Sequence, residues 1–544
     1  MRTNRISHIS ATILILIFSI IATAQQDKAN RSPSVSTAPS ARVSDPARSD
    51  ATERERLLLD RIEDLERRLA ELESRERKKS TEPLNRNAAQ SSESPVEPVP
   101  VEAVGAVDRE QIESSAKQNA HVSASEPFAF ADFTWLAGNA RTKESPIDGK
   151  VFTAEIRFDS AYHYSFNHPR DHTIGGSSEV FRSDEVQLTQ IGVGGDFHYN
   201  SVRGRLMTQF GMYSQTTPRN DASPGRGQWQ LDNAYRYISE AYGGYHWDKL
   251  KGINVDAGIF MSYVGLFSYY QFDNWAYQPS FVSSNTPWFF NGVRIQIYPT
   301  EKLKIEPWIV NGWQSYGKFN KAPGLGVQIM WRPNGNLSIV GNQYWGTDTL
   351  GIPGRKRIHT DDSIQVKYLD RPHQTLSKAA FTFTFDAGCE YGSDSGVSCA
   401  SGLPGKPAQY FLGFMAYNRF WFHNDLFALT IGGGAITNPG RYLVLIPPVN
   451  GATAFSGTPY FTANPDDRYR AWDGSVTFDY MPRQFSTFRF EYNHRASNVP
   501  YFSGPGGLTP PGGNSGAPGS IVPGWAPDLR KFERRFTIAL LVKL

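Results

Sequence analysis

Between Val151 and Leu544, short and long connections take strict turns, and the segments they join alternate apolar with polar residues. A period of two gives an extended strand one apolar and one polar face. The run "VRIQIYPTEKLKIEPWI" holds two such strands around residues 299–302. "VQIMWRPNGNLSIVGNQYW" holds two more around Pro333-Asn334-Gly335-Asn336, a strong hairpin signal. "SVTFDYMPRQFSTFRFEYNH" is a third pair, and tight connections recur near Asn200, 248–252, 371–375 and 423–425. Gly/Pro/Asn/Ser-rich stretches separate the pairs at 167–183, 215–230, 265–287, 315–322, 347–360, 388–406, 437–468 and 496–530. Seven short turns and eight long loops predict sixteen strands.

An even strand count, with every turn at one rim and every loop at the other, is the arrangement of a closed antiparallel transmembrane barrel. Segments of ten or more residues match the about 9–11 that a tilted strand needs to cross a bilayer. The faces agree. Phe381, Phe383 and Phe385 alternate with Thr382, Thr384 and Asp386, and Phe488, Phe490 and Tyr492 with Arg489, Glu491 and Asn493. A soluble sandwich would bury its apolar side, whereas full charges opposite exposed aromatics suit water inside and lipid outside. Alternation slips at Gln190-Ile191, read as a bulge. Residues 531–544 form the closing strand, paired with the strand that starts near Val151. Trp288-Phe289-Phe290, Trp308, Trp313, Tyr344-Trp345, Tyr235 and Tyr237 lie where strands meet loops and are expected in an interfacial belt.

The N-terminal part differs. Arg2 and Arg5, an apolar run from Ala11 to Ala22 and the small residues to Ala24 read as a signal peptide over 1–24. Residues 25–52 read as disordered. Leu58, Ile62, Leu65, Leu69 and Leu72 form an a/d seam within a periplasmic coiled coil at 53–79, without choosing dimer or trimer. A Pro/Ser-rich linker covers 80–127, and 128–150, with its apolar "FAFADFTWLAGN", is a barrel lead-in or plug. In an exported chain Cys389 and Cys399 are expected to close a small disulfide loop. The formal charge of +3 gives no reason to expect a nucleic-acid partner.

The stretches "FAFADFTWLAGNARTKESPIDGKVFTAEIRFD", "GQWQLDNAYRYISEAYGGYHW" and "SSNTPWFFNGVRIQIYPTEKLKIEPWIVNGWQSYG" resemble the OmpL-like family of outer-membrane β-barrel porins, over roughly 128–544. The resemblance implies a barrel in the outer membrane that passes small solutes or ions, with no cofactor and no catalysis. Outer-membrane barrels usually end on an aromatic residue, and this chain ends on Leu544, so recognition by the assembly machinery is expected to be weaker or adapted. No metalloprotease, P-loop, nucleophile-elbow or EF-hand pattern occurs.

By parity the lumen should receive Arg157, Arg203, Arg205, Arg236, Arg294, Lys304, Lys367, Arg489 and Arg535, with Glu155, Asp159, Glu240, Asp256, Glu306, Asp386, Asp479 and Glu491. This mixed lining predicts weak, slightly anion-favouring selectivity. The third long connection, 265–287, is expected by analogy with general porins to fold inward. Its Phe267, Tyr269, Tyr270, Asp273, Trp275 and Tyr277 would then form an aromatic constriction that stacks on sugars, or else lie at the membrane interface. Expected partners are outer-membrane lipid, small solutes or ions, further copies of the chain (a trimer is the usual porin assembly) and the cell wall through the coiled coil. The rival reading is a structural or adhesive barrel with a blocked lumen.

Overall fold

The computed structural model describes residues 126–392, 396–400, 408–440, 442, 468–507 and 528–544, together with Arg67. The expected signal peptide, the disordered segment, the coiled-coil seam and all but the end of the linker lie outside the described residues.

Sixteen strands follow in chain order: β1 (Phe152–Ser165), β2 (Val186–Tyr199), β3 (Val202–Thr208), β4 (Ile238–Trp247), β5 (Ile253–Met261), β6 (Phe289–Thr300), β7 (Leu303–Val310) and β8 (Gly324–Asn334). The second half comprises β9 (Leu337–Gly346), β10 (Lys356–Asp370), β11 (Leu376–Tyr391), β12 (Tyr410–Phe422), β13 (Phe427–Asn438), β14 (Tyr469–Arg483), β15 (Ser486–Ser497) and β16 (Phe532–Lys543). Each pairs antiparallel with its neighbours, and β16 closes on β1 from Arg157↔Lys543 to Ser165↔Arg535. The chain is a closed sixteen-stranded barrel. The irregularity expected near Gln190 is present: the β1–β2 register shifts between Asp159, opposite Gln190, and Ser160, opposite Leu188.

Burial is inverted relative to a soluble protein, in which charged groups are seldom fully buried unless paired. Arg419, Arg489, Arg495 and Arg535 are among the largest fully buried side chains, while Phe381, Phe414, Phe478, Phe490 and Ile538 stand exposed on the outer wall.

Three expectations need correction. Not every strand reaches the expected ten residues: β3 has 7 and β7 has 8, while β11 has 16. β3 stops early because the chain turns at Gly211, at φ +104°, and drives Tyr213 into a buried position. The loop expected at 347–360 is shorter, since β10 begins at Lys356, and the one expected at 388–406 is shifted along the chain, since β11 runs to Tyr391 and β12 begins at Tyr410. "RIHTDDS" looks like loop by composition, yet Arg357, His359, Asp361 and Ser363 are buried on the inward face of β10. Finally, Trp288, Phe289, Phe290, Trp308, Trp313 and Tyr344 are buried rather than belted around the outside. Trp308 lies on the inward parity of β7 and stacks on Tyr263, with ring centroids 4.9 Å apart. Exposed Trp247, Trp331 and Trp472 occupy the outer wall instead.

Candidate functional site: the lumen and the two segments inside it

Residues 262–288, between β5 and β6, fold into the barrel and are fastened along its wall by charged groups. Arg489 sends Nη1 to the Gln271 carbonyl (3.0 Å) and Nη2 to that of Asn274 (2.6 Å), while its Nε donates to Asp479 Oδ1 (2.7 Å). Asp479 Oδ2 also accepts from Arg419 (2.8 Å), whose Nη1 reaches the Trp275 carbonyl (3.3 Å). The Glu491 carboxylate accepts from the backbone N–H groups of Tyr277 (2.6 Å) and Gln278 (2.8 Å). Asp473 caps Phe281 N–H at 2.8 Å, and Arg535 donates to the Gln278 amide oxygen at 2.9 Å. A loop has backbone groups without ladder partners, and buried ones must find some. The inward charges of β12, β14, β15 and β16 supply them.

Apart from Phe267, which is partly exposed, the candidate aromatic residues of this loop are not presented to a passing solute. Tyr269, Tyr270, Trp275 and Tyr277 are buried, and Phe267 packs edge-on against Tyr417. Tyr269 stacks on Trp288 with centroids 5.3 Å apart and planes 10° apart, and the Tyr277 hydroxyl bonds Asp159 at 3.0 Å. Both the expected sugar-stacking constriction and the interfacial alternative are therefore corrected: the rings are the loop's packing core. Asp273 is partly exposed, as is Phe267, and is held between Arg157 Nη1 (2.8 Å) and Lys543 Nζ (3.5 Å). Burial alone would raise its carboxyl, but Arg157 and then Lys543 outweigh that and hold it down at about 2.

A second segment, 128–142, crosses the short-turn mouth. Phe128 N–H donates to Glu301 O (2.8 Å) in the β6–β7 turn, and Trp135 Nε1 to Gly335 O (3.0 Å) in the β8–β9 turn. On the other side Asn139 Nδ2 donates to Arg483 O (3.1 Å) and Ser486 O (3.2 Å), and Arg141 Nη1 to Met481 O (2.7 Å). Arg332 lies over the rings of Phe128 and Phe133 at 5.0 and 4.7 Å. The strap also meets the inner loop, because Gly138 N–H donates to Asp273 O at 2.9 Å and Gly138 O accepts from Arg419 at 2.6 Å. A Cβ at Gly138 would collide with the carbonyls of Phe272 and Asn274, so the contact needs glycine.

The wall of β1–β8 carries a second set of charges, which meets the inner loop at Arg157–Asp273 and at Glu240, whose carboxylate accepts from the Tyr270 hydroxyl. Arg205 binds Glu240 (2.9 Å), Asp196 (2.7 Å) and Glu155 (3.1 Å), and Arg157 also pairs with Glu155. Arg294 and Arg203 share Asp256 at 2.9 and 3.3 Å, and Lys304 binds Glu306 at 3.0 Å. Asp196 and Arg203 side chains are 50% and 29% exposed, so the set meets solvent at these two groups, while Arg157, Asp256, Lys304 and Glu306 are buried. Lys367 stays near the short-turn end of β10, paired with Asp370 at 2.6 Å. Arg236 is misplaced by parity: it follows a short helix, Leu231–Tyr235, in the connection before β4. Parity also missed Arg419 and, near the long-loop rim, Arg355 and Arg357, which hold Glu390. Cys389 and Cys399 are disulfide-bonded.

The family model described as "Putative beta-barrel porin-2, OmpL-like" matches residues 157–514. The chain belongs to this family. That places it among porin-like barrels of the outer membrane. No curated protein matches the sequence. Solved structures similar to this porin include the trimer form of OmpT from Vibrio cholerae, at 9% identity over 73% of this chain and 100% of that one, with TM-score 0.41. DcaP, an outer-membrane channel of Acinetobacter baumannii, shares 12% identity over 74% and 99%, with TM-score 0.41. OprB of Pseudomonas putida shares 9% over 72% and 94%, with TM-score 0.42.

Proposed function

We propose that the protein is a water-filled channel for passive diffusion of small hydrophilic solutes or ions, with its long loops outside the cell and its short turns facing the periplasm. The observation that carries this reading is the solvent-meeting belt of inward charges on β1–β8, centred on Arg205, Arg203 and Asp196. A barrel of this strand number encloses an aqueous lumen unless segments fill it. Most inward charges are paired, which supports weak selectivity with only a slight preference for anions. Arg203, Arg205 and Arg294 line the path in this reading, while Arg157, Lys304 and Glu306 are buried in their ion pairs and support the wall. Arg489, Glu491 and Arg535 shape it by holding the inner loop against the wall.

The strap across the short-turn mouth favours a second reading, a structural barrel with a blocked lumen. One measurement separates the two: single-channel current of the purified protein in a planar bilayer. Discrete steps, with a small reversal potential of anion-selective sign in a salt gradient, are expected of the porin. A folded, heat-modifiable barrel without steps sinks the porin reading in favour of the blocked one. With this orientation the N-terminal region extends into the periplasm, where the coiled coil would bring copies together, a trimer by preference, and reach toward the cell wall.

A further inference from the structure

Most of the outer wall is apolar, but near the long-loop rim of β14–β16 it carries cations. Arg534 lies between buried Glu533 and Arg535, on the outward parity of Phe532 and Phe536, which are 50% and 38% exposed. Opposite it on β15 is His494, and opposite His494 on β14 is Gly474. The missing side chain at Gly474 leaves room for Trp472, whose exposed ring packs against His494 with centroids 5.0 Å apart. Arg470, one outward position nearer the rim than Trp472, is exposed, as is Lys531 at the head of β16. Nearby carboxylates are engaged elsewhere: Glu533 faces inward to Arg535 at 3.4 Å, and Asp528 holds Arg530 at 2.7 Å. Among the described residues, no ion pair reaches Arg470, Lys531 or Arg534.

A guanidinium on the lipid-facing parity is unfavourable in hydrocarbon and tolerated near an interface, where a long side chain reaches the headgroups. Tryptophan beside it marks the same level. We propose that Arg470, Lys531 and Arg534, with Trp472 and His494, dock the phosphate-bearing headgroup of a lipid in the outer leaflet. Guanidinium groups match phosphate oxygens in a two-point geometry. Below Arg534 the same face continues as Phe536 and Ile538, 38% and 43% exposed. Acyl chains of a lipid held at the rim would lie along that wall, whereas a free phosphate would gain nothing from it. The leaflet assignment rests on the orientation proposed above. The headgroup contact itself does not depend on conduction.

Native mass spectrometry of the full protein released from detergent tests this. The probes are a phosphorylated disaccharide glycolipid, its dephosphorylated form and inorganic phosphate. The wild type should retain the phosphorylated lipid over the dephosphorylated one. The Arg470→Gln/Arg534→Gln variant should retain it about thirtyfold less well, at roughly fivefold per cation. Arg483→Gln, an exposed arginine at the opposite rim, should behave as wild type, and Arg534→Lys, which keeps the charge but not the two-point geometry, should lose retention by less than Arg534→Gln. Equal retention of the dephosphorylated lipid overturns the proposal, and displacement by equimolar inorganic phosphate reduces the site to a free-anion site and overturns it too. If the double variant fails to show heat-modifiable migration, the wild type alone decides: retention must fall steeply with salt, and salt-insensitive retention overturns the idea. A barrel that binds the lipid but gives no current steps would sink the porin reading and leave this site standing.

Discussion

The lumen holds two clusters of mixed charge that look alike in sequence and differ in the fold. On β12–β15, Arg419, Asp479 and Arg489 are buried with no exposed side-chain surface, and the two arginines, joined by Asp479, are bound to the backbone of the inner loop. On β1–β4, Arg205 gathers three carboxylates, one of them 50% exposed, and no backbone depends on it. Both clusters come from the same strand parity. What differs is how the inner loop meets them: its backbone is bound to the first, while it touches the second through the Tyr270 hydroxyl on Glu240. A charge that binds the loop's backbone becomes a fastener, and a charge beside open lumen becomes a lining.

The largest effect should follow from breaking the fastener. Removing one partner of a buried, hydrogen-bonded ion network typically costs about 3–5 kcal/mol, because the other charge is left buried and unpaired. Arg489→Gln or Asp479→Asn should therefore lower the melting temperature in detergent markedly and enlarge the single-channel step as the inner loop loosens. The pair Arg489→Gln/Asp479→Asn should be milder than the sum of the single changes, as expected for groups in direct contact. An unchanged melt in either single variant would break the comparison.

Gly138→Val tests the strap by forcing it off the inner loop. Overpacking of this kind costs about 1–3 kcal/mol. The strap should move before the barrel yields, since the sixteen-stranded ladder closes without it. The expected readout is a larger conductance with heat-modifiable migration retained. Unaltered conductance would remove the strap from any part in restricting the pore.

The barrel was legible in the sequence because lipid imposes a strict period and the connections keep a strict order. The even strand count, the closing pair and the bulge near Gln190 all follow from local pattern. The contents of the lumen were much less legible. In β12, "YFLGFMAYNRFWF" is bulky on both faces, since Phe411, Met415, Tyr417 and Trp421 point inward against the inner loop. Alternation vanishes there, and Arg419 went unnoticed. Arg236 was misread for the opposite reason: "AYRYISEAY" alternates, but its first residues belong to a helical turn. The strap and inner loop were visible as segments, but not by their contacts. Asn139 meets Arg483 across 344 residues of chain, a distance that no local pattern encodes.

A pH titration sharpens the comparison on the loop itself. Asp273 is depressed from 3.8 to about 2 by Arg157 and Lys543 acting against burial. A carboxyl depressed in the folded state contributes stability that is fully present above its unfolded value and is lost as pH falls through the folded one. The window is therefore about pH 4 down to pH 2. The contribution is at most about 2 kcal/mol, given the partial exposure of the side chain. Asp273→Asn should lower the melt at neutral pH and flatten its dependence across that window relative to wild type. Parallel wild-type and variant curves would show that the latch carries nothing.

A smaller energetic effect than the fastener's should come from the lining. Arg205 is anchored by three carboxylates, but its partners keep contact with water or with one another's neighbours. Glu155 retains Arg157, and Glu240 retains the Tyr270 hydroxyl at 2.9 Å. Arg205→Gln strands no buried backbone and should shift the melt less than Arg489→Gln does, although Arg205 and Glu240 are each only 10% exposed. It removes one positive charge from the solvent-meeting belt, so the reversal potential in a salt gradient should move toward cations while the step size stays nearly constant. Arg489→Gln removes the same formal charge and should do the reverse, changing stability and step size more than selectivity. If the two variants behave alike, the division between fasteners and lining is wrong, and parity alone describes the lumen.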